Sequence, residues 1–183
     1  MEFSLTLSES QSQEQPTDFT SVFAAYRGRI CRYLYSLVGE AAQAEDLAQD
    51  CFLKAYRALQ RGQRPDNLSA WLYTIATNAA ISHLRRRKLI AWLPLLPGGE
   101  VETARTGRDP AVVASERDLL RRTLAKLSPA DASCLLLRFQ ADLTYAELAS
   151  VLGTSEGAAK TRVCRARAAF CETYTRLSRE VSR

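Results

Sequence analysis

Residues 144–167 read TYAELASVLGTSEGAAKTRVCRAR and concentrate the residue types that recognise a polyanion. Thr144 with Glu147 three positions later is a capping box, Gly153 is a helix stop, and Ser155 opens a second helix. Taking Ala159 as inward and advancing about 100° per residue puts Gly157, Ala158, Thr161, Cys164 and Arg165 outward. Lys160, Arg162 and Arg167 flank that face. A helix-turn-helix built this way lets small residues approach a duplex groove while the cations reach base edges or phosphates. The competing reading is an antiparallel helix pair with a solvated basic face.

Two further groups stand out. Leu47, Ala48 and Cys51 point one way from their helix, so Asp46, Gln49 and Asp50 share the other face. That face is either an ordinary solvated surface or an acidic docking patch for an Arg-bearing protein. Further on, Trp71, Tyr73, Asn78, His83 and the run Arg85, Arg86, Arg87, Lys88 fall on one helix. Rings that stack on bases and cations that follow a backbone suit single-stranded nucleic acid. The alternative makes Trp71 a core residue, Asn78 a surface amide and the basic run a favourable helix C-terminus.

What is missing narrows the field. His83 is the only histidine, which excludes sites built on several. Cys31, Cys51, Cys134, Cys164 and Cys171 show no C-x-x-C spacing, and buried free thiols in a reducing cytosol are expected. There is no Gly-rich phosphate loop, no Ser/His/Asp set and no Glu-rich metal cluster. The expectation is a protein that is not an enzyme and needs no cofactor or metal.

The elements that position these groups follow from periodicity. The 183 residues are 46% apolar and 25% charged, which allows one ordinary domain or two small ones. Residues 1–17 are rich in Ser, Gln, Glu and Thr and read as a flexible tail. Asp18 caps a first helix with Phe19, Val22, Phe23, Tyr26, Ile30, Tyr33, Leu34 and Leu37 as its apolar positions, stopping at Gly39. A second helix runs from about 41 to 61, and a third from about 69 to 88 with Trp71, Leu72, Ile75, Ala76, Ala79 and Leu84 inward.

Pro94, Pro97, Gly98, Gly99, Gly107 and Pro110 mark a linker over 91–111. Its ~20 residues reach about 66 Å when extended. Helical periodicity resumes at Ala111, Ser128-Pro129 starts another helix, and the helix-turn-helix closes the chain. The predicted fold is all-α: two small helical domains, 18–90 and 112–183, joined by a flexible linker. The formal charge of +5 divides into −4 for residues 1–25, +6 for 26–88, −2 for 89–157 and +5 for 158–183. Two basic blocks with a neutral stretch between them suggest two separate contacts with a polyanion. No segment reads as a signal peptide or membrane span, so a soluble, cytoplasmic protein is expected.

In this order, AEDLAQDCFLKAYRAL (44–59), WLYTIATNAAISHLRRR (71–87) and LTYAELASVLGTSEGAAKTRVCRAR (143–167) resemble the bacterial sigma-70-type RNA polymerase sigma factors of the extracytoplasmic-function group. The resemblance implies that the first domain binds core RNA polymerase through the clamp of the largest subunit, with Asp46, Gln49 and Asp50 at that contact. It implies that Trp71, Asn78, Arg85, Arg86 and Arg87, with the loop at 62–69, read and melt the −10 element. It places Ser155, Lys160, Thr161, Arg162 and Arg165 on the −35 element. Promoter DNA, double- and single-stranded, and an anti-sigma factor are the further implied partners, without membrane insertion. The family usually has Thr-Val where this chain has Ala158-Ala159, often His where it has Cys164, and an acid where it has Ser82. Free of the resemblance, a helix-turn-helix repressor or activator and an RNA-binding adaptor remain competing readings. The apolar segment 89–96 (LIAWLPLL), which includes Trp92, is expected to pack on the first domain or on an inhibitor.

Overall fold

A computed structural model of the chain describes residues 19–91 and 111–181, and all regular structure among them is helical. Helix α1 (Phe19–Val38) turns at Gly39, whose φ of +79° is the left-handed conformation that glycine adopts without a Cβ penalty. Helix α2 (Ala41–Gln60) buries Ala44, Leu47, Ala48, Cys51, Phe52 and Ala55, a stripe that includes the expected Leu47, Ala48 and Cys51. Three alanines in that stripe let α1 and α2 approach closely. Helix α3 (Leu68–Ala91) begins where the Asn67 Oδ1 accepts the Ala70 N–H at 2.9 Å, a side-chain cap for an otherwise orphan donor.

Helices α4 (Ala111–Lys126) and α5 (Pro129–Phe139) follow. Ser128 caps α5 by accepting the Asp131 N–H at 3.1 Å, with Pro129 in the first turn as its fixed φ favours. Helix α6 (Tyr145–Leu152) starts on the expected capping box and stops at Gly153, φ +62°. Helix α7 (Glu156–Val181) starts with Ser155 Oγ accepting the Ala158 N–H at 3.2 Å. Ala159, taken as inward from the sequence, is buried, and Val163 and Ala166 face inward with it.

Two expectations about inward faces need correction. Phe23 stands 37% exposed, although it edges onto Phe52 with centroids 4.9 Å apart. On α3 the buried line is Ala70, Leu72, Tyr73, Ala76, Thr77 and Ala80, so the inward direction is rotated toward Tyr73 and Thr77. Tyr73 is therefore a core residue, edge-on to Tyr33 at 5.4 Å, and not a ring offered to bases.

The two halves are packed together. A single apolar cluster runs from Ile30, Leu34 and Leu72 through Leu137 and Leu148, each fully buried and each contributing about 1.5–3 kcal/mol. Helices α5 and α6 lie against α1 and α3. At the seam the Tyr33 hydroxyl is 2.7 Å from both Thr77 Oγ1 and Ser133 Oγ. All three are buried and satisfy one another, so the seam carries no lost hydrogen-bonding energy there. The linker expected at 91–111 and the apolar segment around Trp92 lie almost entirely outside the described residues, as does the tail at 1–17.

Candidate nucleic-acid interface

Helix α7 presents Gly157, Ala158, Lys160, Thr161, Cys164 and Arg165 to solvent, with Ser155 exposed just before its start. Its cations are not equivalent. Lys160 Nζ pairs with Glu156 Oε1 at 2.7 Å and sits 5.6 Å from the Tyr145 ring centroid. The Glu156 contact raises the ammonium's pKa, so it is held charged. Arg162 is half-buried and reaches Asp131 of α5 at 3.5 Å. Arg165 is exposed and makes no ion pair among the described residues. Any groove contact from Lys160 or Arg162 must exchange an internal partner, while Arg165 needs no such exchange.

On α3, Trp71, Asn78 and Arg85 recur at intervals of seven residues and so share one edge, about 10.5 Å apart at ~1.5 Å rise per residue. Trp71 is half-buried and packed against the core, whereas Asn78 and Arg85 are exposed. Arg86 is exposed and donates to the Ser82 carbonyl at 3.3 Å, and Arg87 is half-buried. Burial first, then the Arg87 and Arg86 charges, push the His83 pKa down, keeping that ring neutral beside the basic run. The sequence-level group of aromatics and cations thus divides: Trp71 stays at the edge and Tyr73 leaves it.

Asp46, Gln49 and Asp50 are all exposed on the face of α2 opposite its buried stripe. Neither acid is ion-paired among the described residues.

One surface had no sequence signal. Leu124, Leu135, Leu136, Phe139, Gln140, Arg167, Phe170 and Cys171 line an apolar groove of about 510 Å³ between α4, α5 and α7, with Phe139 63% exposed. Phe139 closes the apolar run Leu135, Leu136, Leu137 of α5, and those three leucines are buried while it is not. Of the cysteines, Cys51 and Cys134 meet the expectation of buried free thiols, while Cys164 and Cys171 are exposed. Among the described residues no helix is long and apolar enough to cross a membrane, and no group of three potential ligands gathers for a metal ion.

Two stretches of the chain match known families. Residues 22–90 match Sigma-70 region 2 and residues 117–170 match Sigma-70, region 4. The chain is 32% identical over 165 residues to the RNA polymerase sigma factor YlaC of Bacillus subtilis, covering 88% of this chain and 94% of that protein. It is 33% identical over 152 residues to the ECF RNA polymerase sigma factor BldN of Streptomyces coelicolor, covering 81% of this chain but only 57% of BldN. Among solved structures, the sigma factor RpoE of Bartonella quintana, in complex with the anti-sigma factor NepR, superposes with TM-score 0.66 at 25% identity. That match covers 86% of this chain and 97% of that one.

An all-α chain with a region 2 half and a helix-turn-helix region 4 half is a sigma factor by class. The chain belongs to the sigma-70 family of RNA polymerase sigma factors, in its extracytoplasmic-function group.

Proposed function

We propose that this chain binds core RNA polymerase and directs promoter-specific initiation, with residues 18–90 serving the −10 element and 112–183 the −35 element, joined by a linker at 91–111. The observation that carries this reading is the coexistence of three separate exposed surfaces. These are the unpaired acids of α2, the Trp71–Asn78–Arg85 edge of α3 and the Arg165 face of α7. An acidic patch suits a basic protein surface, a ring-amide-guanidinium edge suits an unpaired strand, and a small-residue helix face suits a major groove.

Asp46, Gln49 and Asp50 would meet the clamp of the largest polymerase subunit. Trp71 and Asn78 would hold an opened base, with Arg85, Arg86 and Arg87 on the adjoining phosphates. Ser155, Lys160, Thr161, Arg162 and Arg165 would address the −35 duplex. The chain itself supplies no reaction chemistry: the polymerase performs catalysis, and no cofactor is required. Its partners place it in the cytoplasm. The complex of the Bartonella relative with an anti-sigma factor supports a protein inhibitor for this chain as well.

The test is co-purification with core polymerase followed by run-off transcription on a promoter library. Core-dependent transcripts that share −10 and −35 sequences are expected. A protein that binds operator DNA tightly alone and never enters the polymerase would be a repressor or activator instead.

A further inference from the structure

We propose that a cleft walled by α1, α3 and the turn between α5 and α6 binds a pyrophosphate group, either free or carried by a nucleotide. The cleft encloses about 430 Å³ and is lined by Arg29, Arg32, Tyr73, Gln140, Ala141 and Asp142. Sites for small ligands commonly have volumes of this order. Arg29 and Arg32 are three residues apart on α1, so they stand side by side on one helix face. Both are exposed. Neither has an ion-pair or hydrogen-bond partner among the described residues.

The third group is Tyr73 of α3. It is only 3% exposed, yet it lines the cleft, and its hydroxyl has no hydrogen-bond partner among the described residues. The neighbouring Tyr33 hydroxyl, by contrast, has two partners at 2.7 Å. Burial raises the Tyr73 pKa and outweighs the opposing pull of the Arg29 and Arg32 charges, so the phenol keeps its proton as a donor. A buried hydroxyl without a protein acceptor is rare in folded proteins, and this one lies within reach of two guanidinium charges. Asp142 does not neutralise the pair. Its carboxylate is almost fully exposed and meets Arg138 Nη1 at 3.4 Å. Gln140 serves the rim, where its Nε2 donates to Ser36 Oγ at 2.9 Å. The walls therefore offer two positive charges and one neutral donor, and their single carboxylate is matched by a third arginine.

This set selects its ligand by charge and shape. A guanidinium holds one phosphate through two parallel N–H···O bonds, so adjacent arginines suit two joined phosphates. A lone carboxylate or phosphate would leave one of the two cations unmatched. The phenol, buried at the floor, donates to an oxyanion without adding charge. The α5–α6 turn closes the side opposite α1. A nucleic-acid strand must run on in both directions, so the cleft suits a small molecule better than a backbone.

Isothermal titration calorimetry on the full chain, without divalent metal, tests the site with inorganic pyrophosphate, ADP and adenosine. One-to-one binding is expected for pyrophosphate and for ADP, and none for adenosine at millimolar concentration. Tighter binding of ADP would identify a nucleotide as the ligand, and equal affinities would identify the free anion. Tyr73→Phe removes only a hydroxyl that has no protein partner, so its thermal unfolding midpoint should match the wild type. Its affinity should fall about tenfold, as when a hydrogen bond to a charged group is lost. Arg29→Ala and Arg32→Ala should each weaken binding at least as much, and together abolish it. Arg29→Lys with Arg32→Lys keeps both charges but not the paired bonds, and should also bind more weakly than wild type. A wild type that binds neither pyrophosphate nor ADP would overturn the site, as would adenosine binding as tightly as ADP. Full affinity in Tyr73→Phe or in the lysine pair would reduce it to a diffuse basic surface, and a lowered Tyr73→Phe midpoint would return the hydroxyl to the core. Loss of oligothymidine binding in the alanine pair would assign the arginines to a nucleic-acid backbone and overturn it too. Every readout uses the chain alone, so these outcomes stand apart from the promoter reading.

Discussion

Arg162 and Asp131 meet at 3.5 Å, tying helix α7 to the first turn of α5, while Arg165 one turn on stands free of any ion pair among the described residues. Two arginines three residues apart thus have different starting states. Arg165→Ala should weaken −35-dependent initiation by about 1–3 kcal/mol if its guanidinium reads a base. The loss should vanish on promoters with a scrambled −35 element, and an equal loss there would identify a phosphate contact. Arg162→Ala should show a smaller net effect on initiation, because wild-type Arg162 must first give up Asp131. Its effect on stability should stay below about 1 kcal/mol, since both partners are partly exposed.

Charge reversal at Asp46 and Asp50 tests the acidic face of α2. Both carboxylates are exposed and outside the buried stripe, so the double change Asp46→Arg with Asp50→Arg should leave the thermal unfolding midpoint within a few degrees. Binding to core polymerase should be abolished, because two attractive contacts become repulsive ones. Analytical gel filtration with core polymerase measures the outcome, and retained complex would remove these acids from the interface.

Much of this organisation is written in local pattern. The α2 stripe, the Ser128 and Thr144 caps, the Gly153 stop and the inward Ala159–Val163–Ala166 line all depend on residues within a few positions of one another, and the structure keeps each of them. What periodicity missed depends on distant partners. Tyr73 and Thr77 turn inward because Tyr33 and Ser133 await them, and the Tyr33–Ser133 contact spans 100 residues. A polar Thr or Ser on a helix looks outward until a buried phenol supplies its hydrogen bond. Phe139 shows the converse: its apolarity suggested burial, but it lies at the lip of a groove. Of the proposed site, exposure of Asp46, Gln49, Asp50 and Arg165 was legible from helical phase. The internal pairing of Lys160 and Arg162 was not.

Acid should weaken the α6 cap. The Thr144 backbone N–H, then the Thr144 hydroxyl, then the Asn67 amide hold the Glu147 pKa below its ordinary 4.5. The unfolded chain therefore takes up this proton at a higher pH than the folded one. The stabilisation is complete above the unfolded value and is lost as pH falls through the lower folded value. Urea midpoints measured from about pH 6 to pH 3 should fall for the wild type, and less steeply for Glu147→Gln, which has no proton to bind there. Parallel slopes would show that the carboxylate gains nothing from its contacts.

The seven-residue spacing of Trp71, Asn78 and Arg85 separates two kinds of contact on one helix edge. Arg85, at the basic end, should act on phosphates. Arg85→Ala should then weaken binding to single-stranded promoter DNA almost equally for every sequence. It should also reduce the slope of log affinity against log salt by about 0.7, the share of one phosphate on a single strand. Asn78 carries no charge and can act only through hydrogen bonds. Asn78→Ala should leave the salt slope unchanged and flatten the preference among −10 bases by about 1–3 kcal/mol. Salt titration of polymerase-bound protein on a fluorescent −10 strand measures both. A changed slope for Asn78→Ala, or a base preference lost with Arg85→Ala, would exchange the two assignments.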